Sequence, residues 1–309
     1  MSKTNKSFMA IATGKESVES ANFAKYLGVG VFTVVGVNPS REELEKIYNT
    51  TIEKDPEYIS KTDDGIKQIR IDIILKSVAE KNNGIEMLTK ASIFLTQAPR
   101  ISKTNKIQVI NIYGETAWID IEVAKTGVIP EGMEWFEGPY RPAYNGEEDL
   151  TGFIKAYLNI PNKSYKKASG EIITLKDKKE AEASLENIDK YFTGNVKEIK
   201  DAIACRPDNK VKADVGIKTT EDNKQYQTVY SKMFIKYGIT DYSKLDKHIK
   251  ETQNAGALVG IEFSILPLHE YNVEATNFTP NGSSVPSTPP APQADAMAAF
   301  FNANKGINQ

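Results

Sequence analysis

The most constraining feature of this chain is the stretch from Lys106 to Val123, which reads as two strands, or one long bent strand, hinged at Gly114. Beyond the glycine the alternation is regular. Ala117, Ile119, Ile121 and Val123 share one face, and Thr116, Trp118, Asp120 and Glu122 share the other. A glycine inside a strand pattern marks a bulge, a sharp bend or a close backbone approach. Trp118 sits on the polar parity. An aromatic there suits a surface that stacks flat ligands, nucleic-acid bases first among them. The alternative is a tryptophan covered by a neighbouring loop or helix.

Other segments repeat the strand period. In Tyr26–Val37, Leu27, Val29, Val31, Val35 and Val37 oppose Gly28, Gly30 and Gly36. That describes a strand with one bare face, over which something packs closely. Ser40 with Glu43 forms a capping box for a short helix. Ile69, Ile71, Ile73 and Leu75 define an inner strand face, as do Met87, Ala91, Ile93 and Leu95. With the 106–123 element these predict an antiparallel meander. Helical spacing at Leu150, Phe153, Ile154, Tyr157 and Leu158, and again near Ile188 to Ile203, predicts a helical insertion over about 145–205. Val211, Ala213, Val215 and Ile217 then open a hairpin that turns at Glu221–Lys224. Its second strand points Val229, Met233 and Ile235 inward. A polar helical segment (about 242–253) and a closing strand (Val259 to Ile265) follow. Residues 1–24 read as a flexible arm and 25–276 as the folded domain. Residues 277–309 read as a disordered Pro/Ser-rich tail with a short apolar end. In that end Met297, Phe300 and Phe301 fall at i, i+3 and i+4, a helix face suited to docking on a partner protein.

The faces opposite the aliphatic rows share one theme. They interleave Arg70, Lys76, Lys90, Lys212, Lys232 and Lys236 with Phe94, Trp118, Tyr226 and Tyr230. Cations track phosphates and aromatics stack bases, which is what sequence-tolerant single-strand binding needs. The net charge of the 309-residue chain is -2. No overall basic field exists, so such a site must be a local patch. Residues 61–106 hold nine Lys/Arg against five Asp/Glu, whereas 115–150 hold two against nine, so the basic patch belongs to the strands. The other reading of these faces is solvated or helix-covered sheet. On that reading the chain is a virion-associated or structural protein, or an adaptor that binds proteins through its acidic 131–149 segment.

Signals for catalysis, metal or cofactor are poor. His248 and His269 lie in separate segments, and with the lone Cys205 they lack zinc-ligand spacing. Thr13-Gly-Lys-Glu16 lacks the leading glycine and following hydroxyl of a phosphate loop. Glu147, Glu148 and Asp149 are explained by a helix N-terminus, where acids are favoured. The expectation is a protein that is not an enzyme and needs no cofactor. No apolar run of membrane-spanning length and no signal core is present, and a cytoplasmic location is the default.

Three stretches, Tyr26 to Pro39, Lys106 to Trp118 and Arg141 to Leu150, together resemble a family encoded by crAss-like phages of gut bacteria. Its members are described as single-stranded DNA-binding proteins of the replication module. The likeness extends from about residue 24 to 278. It implies an OB-like barrel, a role in phage DNA replication or recombination, and work in the host cytoplasm. It also points to phage replication proteins as partners of the tail. The chain departs from better-known phage proteins of that function in lacking a zinc site and an acidic tail, since only Asp295 is acidic in the final stretch. The expected fold is therefore α+β, an OB-like Greek-key barrel with inserted helices.

Overall fold

A computed structural model of the chain describes residues 24–111, 113–136, 138–159, 164–166, 172–174, 188–204 and 206–271. In chain order β1 (Tyr26–Val37) leads into α1 (Arg41–Tyr48), β2 (Ile59–Lys61), β3 (Lys67–Ser77) and β4 (Leu88–Pro99). Next come β5 (Lys106–Asn111), β6 (Thr116–Asp120), α2 (Ile121–Lys125), β7 (Tyr140–Pro142), β8 (Tyr144–Asn145) and α3 (Glu147–Tyr157). A short ladder of β9 (Ser164–Lys166) and β10 (Ile172–Thr174) precedes a 3-10 turn (Ile188–Thr193) and α4 (Lys197–Ala204). The described chain ends with β11 (Val211–Thr219), β12 (Gln225–Val229), β13 (Ile235–Lys236), α5 (Ser243–Asn254), β14 (Ile261–Glu262) and β15 (His269–Glu270).

The fold is mixed α+β, dominated by one curled antiparallel sheet of order β12-β11-β1-β3-β4-β8. β1 is its spine. One half pairs with β11 and the other with β3, across a bulge between Val34 and Gly36. The curl brings β12 back beside β4, making a half-barrel. Inside it lie Ile69, Ile71, Ile73 and Leu75 of β3, with Ala91, Ile93 and Leu95 of β4, the parities read from the sequence. Val211, Ala213 and Val215 join them. Phe153 and Tyr157 of α3 with Ile199 and Ile203 of α4 close the core. Each such side chain contributes about 1.5–3 kcal/mol on burial, so the helices are held to the sheet by their apolar stripes.

The bare glycine face of β1 is covered as the alternation implies. Residues 260–271 cross β11 and β1 as a strap. A Cβ on Gly28 would lie 2.5 Å from the Leu266 carbonyl oxygen, and only a side-chain-free residue allows that approach. The strap is tied by Val29 N–H to Leu266 O (2.7 Å) and Leu268 N–H to Val29 O (3.0 Å). The capping box also forms. Ser40 N–H donates to Glu43 (2.8 Å) and Glu43 N–H to Ser40 Oγ (3.3 Å).

Several expectations are corrected. The 106–123 element does not extend the meander. β5 and β6 form a separate three-stranded sheet with β7, around their own core of Ile107, Val109, Ile119 and Phe136. The strand stops at Asp120, whose carboxylate accepts from Glu122 N–H (3.0 Å) and starts α2, so Ile121 and Val123 are helical. The 145–205 insertion contains the β9–β10 ladder besides its helices. The hairpin's second strand ends at Val229. A turn at 231–232 then reverses the parity, placing Phe234 in the main core. The closing strand is reduced to the strap's short ladders with β11 and β1. Among the described residues no helix is long and apolar enough to cross a membrane. Met297, Phe300 and Phe301, the tail and the N-terminal arm lie outside the described residues.

Candidate nucleic-acid interface

Of the ten side chains assigned to nucleic acid, three converge. Arg70 on β3 stands directly opposite Phe94 on β4, and Lys90 lies four residues earlier on the same face of β4. Phe94 is 51% exposed. The Arg70 guanidinium lies 5.8 Å from the centre of the Tyr58 ring. Burial and the nearby Asp72 carboxylate push the Tyr58 phenol above its ordinary range, so it stays neutral and donates to Pro39 O (2.7 Å). Tyr58, Arg70 and Phe94 thus form a strip of flat, delocalised groups on the outer face of the sheet.

Asp72 holds this strip in register. It is 4% exposed, yet it lies on the outer parity between the two cations. Its oxygens sit 3.1 Å from Arg70 Nε and 3.2 Å from Lys90 Nζ, and accept from Ser92 Oγ (2.6 Å). Asn38 fixes the backbone beneath. Its left-handed conformation (φ 41°) lets its side chain donate to Arg70 O (3.1 Å) and accept from Asp72 N–H (2.7 Å). Beyond Asp72 the outer face is no longer open. Leu44 and Tyr48 of α1 cover Ile74, separating exposed Lys76 from the strip. Below Phe94, Gly146 (φ 88°) approaches the Phe94 carbonyl so closely that any Cβ would collide with it.

The remaining assignments scatter. Trp118 is 38% exposed on β6, outside the main sheet, with the Arg100 guanidinium 5.4 Å from its ring centre. Tyr226 is exposed on β12, paired with Lys218. Lys232 lies in a turn, 3.7 Å from Asp149, and Lys236 lies on β13 opposite Val211. Two assignments fail outright. Lys212 is 8% exposed and donates to Ile239 O (2.5 Å) and Tyr242 Oη (3.0 Å), so it cannot reach a phosphate. Tyr230 is 2% exposed, with its hydroxyl bound to His248 Nδ1 (2.7 Å) and Thr252 Oγ1 (2.8 Å), so it cannot stack a base. Both failures have one cause. The outer face of β11 is buried by a second core, in which Leu245 and Ile249 of α5 pack with Val29, Tyr230 and Ile235.

The acidic segment is paired rather than free at its helical end. Arg141 grips Glu147 with both terminal nitrogens, Arg100 meets Glu148 (3.1 Å) and Lys232 meets Asp149. Tyr58, Asn38, Asp72 and Arg100 were not singled out from the sequence. A usable signal was Ile74, an aliphatic residue on a polar parity, which announces a cover over part of that face. Comparison with known proteins finds no matching family model, no matching curated protein and no matching solved structure.

Proposed function

We propose that this protein binds single-stranded DNA without sequence preference, through the outer face of β3 and β4. The observation that carries this reading is the exposed Phe94 set against Arg70 and Tyr58, a stacking strip on an otherwise polar sheet face. Each base stacked on an aromatic contributes about 1–3 kcal/mol. The strand order supports an OB-type barrel. Counting β1, β3, β4, β11 and β12 as five strands, the first lies between the second and fourth, and the fifth lies between the fourth and third. The inserted helices fall between the third and fourth. In such barrels the face of the second and third strands is the one that takes oligonucleotides, and here it carries the strip. The resemblance to phage replication proteins points the same way and supplies the setting, DNA replication or recombination in the host cytoplasm, without catalysis or a cofactor.

The test is fluorescence polarisation of labelled oligo-dT against salt, with wild type and Phe94→Ala. Binding with a negative log-log salt slope, weakened by roughly 1–3 kcal/mol in the variant, is expected. No binding to any single strand, or equal affinity of wild type and Phe94→Ala, would overturn the proposal.

A further inference from the structure

We infer that Asp72 is a specificity-determining residue that suppresses phosphate-driven binding and thereby sets a preference for single strands over duplex. The inference rests on the function proposed above and concerns the same face. A patch built only to attract phosphates would leave its cations unpaired. Here Arg70, which stands opposite Phe94, and Lys90 on the same face share one nearly buried carboxylate, at 3.1 Å from Arg70 and 3.2 Å from Lys90. Ser92 Oγ donates to the same carboxylate and Asn38 holds the adjoining backbone, so Asp72 cannot swing away. A phosphate approaching either cation meets the carboxylate's charge as well.

The consequence differs for the two forms of DNA. Duplex presents a dense phosphate array with its bases stacked inside, and counterion release supplies essentially all of its non-specific affinity. A cation pair that keeps one net charge rather than two gains less from it. A single strand offers exposed base faces to Phe94 and Arg70, whose stacking does not need a free positive charge. The carboxylate therefore costs the duplex more than it costs the single strand.

Asp72→Asn keeps the shape and the acceptor for Ser92 while removing the charge. Removing the carboxylate releases one net positive charge, which should steepen the log-log salt slope by about 0.9 for duplex and about 0.7 for single strands. Between 50 and 200 mM salt that adds a loss of about 3.5-fold for duplex and about 2.6-fold for single strands. At the low-salt end the variant should bind duplex more tightly than wild type, and the single-strand over duplex ratio should fall. Asp72→Asn combined with Lys90→Gln restores the wild-type net charge and should return the slope to the wild-type value, which separates charge release from a change of fold. Polarisation titrations with oligo-dT and a hairpin duplex, alongside circular dichroism, read all of these. An unchanged slope and ratio in folded Asp72→Asn would overturn the inference while leaving single-strand binding intact. Absence of single-strand binding by wild type would instead remove the function on which it rests.

Discussion

Replacing Asp214 with Asn should stabilise this protein, and the gain should grow with pH. Asp214 lies on the outer face of β11, beneath the strap. It is fully buried, and neither carboxylate oxygen has a hydrogen-bond partner of normal geometry. Burial pushes its pKa up to about 8 from an ordinary 3.8, and the nearby Ser264 backbone N–H pulls it only part of the way back. Between pH ~4 and pH ~8 the unfolded chain carries the ionised group while the folded chain keeps the proton. Folding therefore takes up a proton, and stability falls as pH rises through that window, then levels above it. A shift of about four units at about 1.4 kcal/mol each sets an upper limit of ~6 kcal/mol. An Asn amide left unpartnered in the same place gives back about 1–3 kcal/mol of that gain. Urea unfolding at pH 5, 7 and 9 should show little difference between the variants at pH 5. At pH 9 Asp214→Asn should be the more stable by ~3 kcal/mol or more. The other ionisable groups around Asp214 are the same in both proteins, so the difference between variants isolates Asp214. A difference that does not change with pH, or an Asn variant less stable at pH 9, would refute the reasoning.

Lys212→Met should leave oligo-dT affinity unchanged but lower stability, because the ammonium ties β11 to Ile239 and Tyr242; titration and urea midpoints measured on one preparation check both. Gly146→Ala should destabilise the fold and also weaken oligo-dT binding, since its Cβ must displace the Phe94 backbone from a left-handed turn; a Gly146→Ala protein with wild-type melting and binding would be inconsistent with that contact. Truncation after Thr276 should leave DNA affinity nearly unchanged and remove capture of replication proteins, because the tail carries almost no negative charge with which to compete for the strip; a several-fold rise in affinity would show that the tail covers it.

Much of the sheet was legible because period-2 alternation is a local signal. Ile69 to Leu75 and Ala91 to Leu95 had one inner face each, and each pointed as expected. The capping box and the covered glycine face were equally local, resting on residues within one segment. What failed was the meaning of the second face. Lys212 and Tyr230 share the alternation that exposes Phe94, yet they are buried, because α5 returns to β11 from thirty residues away and the pattern within β11 carries no trace of it. The 106–123 hairpin failed for a related reason. Its alternation reports that it has a core side, but not that the core belongs to a second, smaller sheet.

The same distinction explains why the candidate site is narrower than the sequence implies. Basic and aromatic residues on outer parities amount to an attractive patch only where the cations stay unpaired and the face stays open. Ile74 draws α1 over one end of the β3–β4 face, and Asp72 offsets one of the two positive charges in the middle. What remains is a strip of three flat groups, Tyr58, Arg70 and Phe94, anchored from behind by Asn38 and bordered at Gly146 by α3. A surface of that kind selects for exposed base faces more than for charge. Affinity should then respond more to the loss of one ring at Phe94 than to the loss of any one lysine. Lys76→Ala, which removes an exposed cation beyond α1, should change oligo-dT affinity by less than Phe94→Ala at every salt concentration; the opposite order would mean that phosphate contacts, not stacking, hold the strand.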